Sequence, residues 1–269
     1  NAGTTPHMTQ TRDKSKIIKK LGDSKSTQLK NYSLVKTEII RVKSDDGLYD
    51  LPMKVTWPVN MDKNKKYPVL VSVYGGPNAG SVMDTWGING NQQWYAKEGL
   101  IQVSMDHRAS GHFGKEGVSN MYHNLGYWEM KDYSSMVKWL IENGSADATK
   151  ICITGFSYGG YMTVAALAFK PEEFKVGVDI FGVTNWLRTL ESIPPYWESF
   201  REALYKEIGN PVTQRDFLIE TSPLFHADKI NKPLMVLQGA NDPRVIKPES
   251  DEIVAAVKKN GVPVEYVVF

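Results

Sequence analysis

Lys150-Ile151-Cys152-Ile153-Thr154-Gly155-Phe156-Ser157-Tyr158-Gly159-Gly160 decides the fold class of this chain. A β-type apolar run ends in Gly-x-Ser-x-Gly and passes at once into residues 161–169, small and apolar side chains that read as a buried helix. In a strand–turn–helix of this kind the glycines leave room for a tight, strained turn. The serine between them projects from the carboxyl edge of a sheet. A serine hydroxyl is a poor nucleophile unless a base stands beside it and the backbone exposes its oxygen. The turn supplies the exposure, so Ser157 is the expected nucleophile; a plain turn serine would not need the apolar strand before it and the small-residue helix after it.

Working outward, strand and helix signals alternate. Residues 38–42 and 51–57 are short β-type runs split by Ser44-Asp45-Asp46-Gly47, which predicts a hairpin. Residues 68–74 form a near-continuous apolar strand, the pattern expected when both sheet faces are buried, and it stops at Gly75-Gly76-Pro77. Residues 92–97 read as a short helix and 100–105 as the next strand. Tyr133, Met136, Val137, Leu140 and Ile141 repeat at helical spacing and predict a helix over 127–142, closed by Asn143-Gly144. Further strands are expected at 175–180, 234–238 and 264–269, with a helix over 248–260 ended by Gly261. Strands separated by helices imply an α/β fold with a mostly parallel central sheet and helices on both faces. Residues 1–36 are rich in Thr, Lys, Ser and Gln and read as a tail or linker with one strand near Ile17-Ile18. Residues 37–269 make one domain, without internal repeats.

Composition narrows the function classes. At 41% hydrophobic and 11% aromatic over 269 residues, the chain is neither disordered nor fibrous. A net charge of +2 with both signs abundant gives no argument for nucleic acid or an anionic membrane. Lys63, Lys65 and Lys66 read as a solvated turn. The single cysteine, Cys152, excludes an intrachain disulfide; inside an apolar strand it reads as a small buried residue rather than a catalytic thiol. No stretch approaches the roughly 20 apolar residues of a membrane span, and no cofactor or metal is implied. The compartment stays open, periplasm and cytoplasm being equally compatible.

A serine nucleophile needs an oxyanion hole, an acid and a base. The backbone N–H of Tyr158 is one expected donor, and the loop Tyr74-Gly75-Gly76-Pro77 after an earlier strand offers the Tyr74 hydroxyl as another. The acid follows the serine at the end of a later strand. There Asp242, in Gly239-Ala240-Asn241-Asp242-Pro243-Arg244-Val245, fits better than Asp216, Asp228 or Asp251. The base should follow the acid, yet no histidine follows Asp242. His226 precedes that strand and reads as a surface or packing residue, and His107 and His112 flank a loop expected at the rim of the site.

These residues resemble a known family. Gly155-Phe156-Ser157-Tyr158-Gly159-Gly160-Tyr161, Tyr74-Gly75-Gly76-Pro77, Asp106-His107-Arg108-Ala109-Ser110-Gly111 and the Asp242 loop are together similar to the peptidase domain of prolyl oligopeptidases. The likeness is greatest to the dipeptidyl peptidase IV-like and acylaminoacyl-peptidase-like branches. It runs from about residue 17 to the end. It implies an α/β hydrolase fold, an upstream β-propeller to which residues 17–42 lead, and serine peptidase activity on short peptides, releasing N-terminal dipeptides or acyl-amino acids. A homodimer is compatible with it. It implies Ser157 and Asp242 as catalytic residues and Tyr74 with the Tyr158 amide as oxyanion hole. Tyr158, Val183, Trp186 and Val245 become walls of the pocket for the side chain before the scissile bond, and Arg244 a ligand of the preceding carbonyl. Residues 187–207, with Pro194-Pro195-Tyr196-Trp197, look like the acylaminoacyl branch. The family's catalytic histidine belongs in a turn just past the strand that here reaches Phe269, so this chain is expected to stop short of its base and to be inactive alone. An esterase or lipase on the same fold, or a catalytically dead binding module, are the alternatives.

Overall fold

The computed structural model describes residues 8–13, 16–23, 26–85 and 87–269. Its strands are β1 (Met8–Asp13), β2 (Lys16–Asp23), β3 (Thr37–Lys43), β4 (Asp50–Thr56), β5 (Tyr67–Ser72), β6 (Ile101–Met105), β7 (Ala146–Phe156), β8 (Val176–Ile180), β9 (Leu234–Gln238) and β10 (Val264–Val268). Its helices are α1 (Gly90–Lys97), α2 (Gly114–Ser119), α3 (Tyr127–Asn143), α4 (Tyr158–Phe169), α5 (Trp186–Glu191), α6 (Arg201–Glu207), α7 (Arg215–Thr221) and α8 (Lys247–Lys258). β1 and β2 pair as a separate antiparallel ribbon. The N-terminal segment thus carries two strands where one is expected, because after Met8 the run Thr-Gln-Thr-Arg-Asp is polar and carries no apolar alternation to mark it as a strand.

The other eight strands form one sheet in the order β10-β9-β8-β7-β5-β6-β4-β3. β3, β4 and β6 pair antiparallel, as the Ser44–Gly47 turn requires, and the rest of the sheet is parallel. The chain leaves β5 toward β6 and returns across it to β7. The crevice beyond the carboxyl ends of β5 and β7 is therefore the topological switch point, where open α/β sheets bind their ligands. Connections through α3, α4 and α8 run one way across the sheet and the one through α1 runs the other. Right-handed crossovers accordingly put α1 on the face opposite the other three.

The two faces are not equally covered. On the α4 side Val69, Val71, Ile101, Val103, Met105, Ile151, Ile153, Leu234 and Val236 are buried under helices. α4 itself is buried from Tyr158 to Ala168. On the other side Leu70, Cys152, Val178, Met235 and Leu237 are only half-buried and Ser72 is exposed, which corrects the expectations that the strand at 68–74 is buried on both faces and that Cys152 is a buried residue. Enough burial remains to push the Cys152 thiol up to about 11. Among the described residues no helix is long and apolar enough to cross a membrane.

Candidate active site

The turn at Ser157 carries the strain its sequence predicts. Ser157 sits at φ 55° and ψ −116°, a region that residues with a Cβ rarely enter, and it is the N-cap of α4. Two backbone bonds hold it there: its N–H donates to the Ile180 carbonyl at 3.0 Å, and its carbonyl accepts from Tyr161 N–H at 3.1 Å. The flanking glycines are required by space. A Cβ at Gly155 or at Gly159 would overlap the carbonyl oxygen of Val73. Backbone thus meets backbone between the turn and the extension of β5, and the same approach brings Tyr74 to the serine.

Gly75 follows at φ 80°, where a Cβ would come within 2.9 Å of the Tyr133 hydroxyl and of Met162. Its carbonyl accepts from His107 Nε2 at 2.8 Å, while His107 Nδ1 accepts from Ala109 N–H at 3.2 Å. The ring proton therefore lies on Nε2. His107 is wholly buried beneath the loop and His112 is bonded to Asp106 at 2.8 Å. Neither lines the cleft, which corrects the expectation that they form its rim. The neighbouring Arg108 is a buried strut: it grips Asp132 through Nε and Nη2 at 2.9 and 2.8 Å and Asp46 through Nη1 at 2.7 Å, between the rings of Tyr49 and Trp128.

Asp242 lies in the loop after β9. Its Oδ1 accepts from the N–H groups of Arg244 and Val245 at 2.8 and 3.1 Å, so the turn uses one carboxylate oxygen and leaves Oδ2 out of it. The loop is braced by Gln238, whose Nε2 donates to the Val245 carbonyl at 2.9 Å and whose Oε1 accepts from Ser250 at 2.7 Å. The end of β10 joins the same loop, with Phe269 N–H donating to the Gln238 carbonyl and Ala240 N–H to the Phe269 carbonyl, both at 2.9 Å.

Tyr74, Ser157, Tyr158, Val183, Trp186, Asp242, Arg244 and Val245 all line one cleft of about 590 Å³, closed on the far side by Leu190, Ile193, Pro194 and Trp197. Its lining is chiefly apolar and aromatic, with Tyr158 and Trp186 ring centroids 5.6 Å apart and Tyr74 and Phe156 5.2 Å apart. Among the described residues no histidine lines it; His123 and His226 bond to the carbonyls of Lys206 and Glu220. Phe269 and Asp242 share a second, shallower cleft with Tyr196 and Trp197.

Two buried carboxyls behind the cleft have no signal in the sequence. Glu249, in the first turn of α8, accepts from the N–H groups of Thr184 and Asn185 at 3.0 and 2.8 Å and so ties the Val183–Trp186 wall to the helix after the Asp242 loop. Glu129, in the first turn of α3, accepts from the Tyr158 hydroxyl at 2.6 Å. Burial raises the pKa of both.

A strained serine at a strand–helix turn beside the switch point of a mostly parallel sheet defines an α/β hydrolase of the serine type. Comparison with known proteins carries this to a family. Residues 86–269 match the prolyl oligopeptidase family. The dipeptidyl aminopeptidase BIII of Pseudoxanthomonas mexicana is 42% identical over 207 residues, which is 75% of this chain and 29% of that protein. Porphyromonas gingivalis dipeptidyl peptidase 4 superposes with a TM-score of 0.81 at 25% identity, over 94% of this chain and 35% of its own. The acylaminoacyl peptidase of Pyrococcus horikoshii does so with 0.79 at 25%, over 93% and 39%. The chain belongs to the prolyl oligopeptidase family, and it spans about a third of the length of these relatives.

Proposed function

We propose that this chain carries the acyl-transfer centre of a serine peptidase that releases N-terminal dipeptides or acyl-amino acids from short peptides. The observation that carries the reading is the convergence of the strained Ser157, Tyr74 and Asp242 on one apolar cleft. Ser157 attacks the scissile carbonyl, the Tyr158 N–H and the Tyr74 hydroxyl stabilise the developing oxyanion, and water releases the acyl-enzyme. Tyr158, Val183, Trp186 and Val245 surround the side chain before the scissile bond, and Arg244 binds the carbonyl preceding it.

Asp242 Oδ2 orients the base, a histidine in the turn following Phe269. The hydrogen bonds between Phe269 and the Gln238–Ala240 segment support this location. They put the end of β10 beside the loop that carries Asp242, and Phe269 and Asp242 line one shallow cleft. The names of the relatives above support the substrate class. Residues 1–36 lead in from a propeller domain, and a pairing of two copies is compatible with the arrangement.

The test is labelling by a fluorophosphonate in protein expressed from the complete reading frame, beside hydrolysis of Ala-Pro and Ala-Ala anilides and short-chain acyl esters. Labelling at Ser157, lost in Ser157→Ala, with anilides hydrolysed, is the expected result. Esters cleaved while anilides are not would make the protein an esterase, and no labelling would make it a binding module.

A further inference from the structure

Behind the cleft stands a carboxyl group that the serine chemistry does not use. Glu129 is fully buried. Its Oε1 takes the Tyr158 hydroxyl at 2.6 Å and the Gly126 N–H at 3.1 Å, and its Oε2 has no partner among the described residues. Tyr158 is the residue after the nucleophile, so its backbone and its ring face the same reaction from two directions. The ring packs at 5.6 Å from Trp186 and 5.3 Å from Tyr161, contacts that fix its plane but not its reach into the cleft. A tyrosine held at Cα by α4 and at Oη by a buried acceptor has both ends fixed, and its two side-chain torsions are no longer free. Burial also keeps the phenol protonated, so it remains the donor.

We propose that Glu129 is a positioning residue that sets the side-chain selectivity of the cleft by pinning the Tyr158 ring as its wall. The role rests on the reading of Ser157 as an acyl-transfer nucleophile. The competing explanation is local: through Gly126 N–H the same carboxylate caps α3, and it could serve the helix alone. The two explanations part at Tyr158→Phe, which removes the phenol bond and leaves the cap untouched.

The experiment measures second-order rates of Ser157 modification by a methyl and by a long-chain alkyl fluorophosphonate in protein from the complete reading frame. Glu129→Ala and Tyr158→Phe should each change the ratio of the two rates by about tenfold, the kinetic equivalent of one buried hydrogen bond. The double variant should be no worse than either single one, because both remove the same bond. Glu129→Gln, whose amide oxygen still accepts from both donors, should return the ratio to within about threefold of the unaltered protein, a difference below 1 kcal/mol. A Tyr158→Phe protein with the unaltered ratio, or effects of Glu129→Ala and Tyr158→Phe that add, would overturn the proposal. Should Glu129→Ala not fold, Tyr158→Phe decides alone. Anilide hydrolysis by the unaltered protein tests the peptidase reading separately: shifted probe ratios without anilide turnover uphold the role of Glu129 and remove that reading, while an unlabelled Ser157 overturns both.

Discussion

Replacing Ser157 by alanine and by glycine gives two proteins that both lack the hydroxyl and differ by one methyl group. In the alanine protein the Cβ stays at φ 55° and ψ −116°. Such a conformation costs on the order of 1–3 kcal/mol for a residue with a side chain and little for glycine. Against this, glycine loses more freedom on folding, about 0.5–1 kcal/mol. The difference leaves Ser157→Gly more stable by about 1 kcal/mol, which for a domain of this size is a rise in melting midpoint of about 2–4 °C over Ser157→Ala. The backbone bonds to Ile180 and Tyr161 are common to both variants and cancel. Differential scanning fluorimetry of the two proteins side by side reads the effect, with mass spectrometry confirming that both lack the Ser157 hydroxyl. Equal midpoints, or an alanine protein melting higher, would refute the claim that the turn is strained.

Other perturbations follow from the same geometry. Asp242→Asn keeps an oxygen for the Arg244 and Val245 N–H groups, so the loop survives, while on the proposed mechanism the base loses its orienting anion; in protein from the complete reading frame, anilide kcat should fall about 10⁴-fold with an unchanged melting midpoint. Arg108→Met strands the buried carboxylate of Asp132 and should cost about 3–5 kcal/mol in urea unfolding, and Asp132→Asn in the same protein should recover part of it. Asp179 is buried on β8 against Gly160 and Gly182 with no hydrogen-bond partner for either oxygen among the described residues, and burial, offset only in part by the nearby Gly182 N–H, pushes its carboxyl up to about 7. The folded state then holds a proton that the unfolded chain, with a carboxyl near 4, releases, so this contribution to stability is complete below about pH 4 and disappears as pH rises through 7. Asp179→Asn should flatten the melting midpoint between pH 5 and pH 8 relative to the unaltered protein; parallel pH curves would contradict this.

What could be read in the residues and what could not divide along a physical line. Strand β7, the Ser157 turn and the Tyr74 and Asp242 loops announce themselves because each is specified by neighbours in sequence: an apolar run, then glycine or proline where the backbone must turn. Glu129 does not. An acidic residue in the first turn of a helix ordinarily favours the helix dipole from solvent, and its partner Tyr158 is 29 residues away on another element. Glu249 is hidden for the same reason, being 64 residues from Asn185. His107 misled in the opposite sense, since a histidine in a loop beside a site looks available until the Gly75 carbonyl and the Ala109 N–H occupy both its nitrogens. The half-open face of the sheet escaped notice because Cys152, Val178 and Met235 are as apolar as the residues beneath α4, and hydrophobicity along a strand does not record which neighbours cover it.

The contact of Gly155 and Gly159 with the Val73 carbonyl makes the spacing between the Ser157 turn and the start of the Tyr74 loop a gauge cut in main chain, with a hydrogen atom as its shim. Every other amino acid is too thick for that slot, so ordinary substitution at these positions has no graded steps to offer. Variation in the shape of the cleft is left to its walls, at Val183, Trp186, Val245 and the segment from Leu190 to Trp197, while the spacing of the Ser157 turn against the β5 extension stays where the backbone put it.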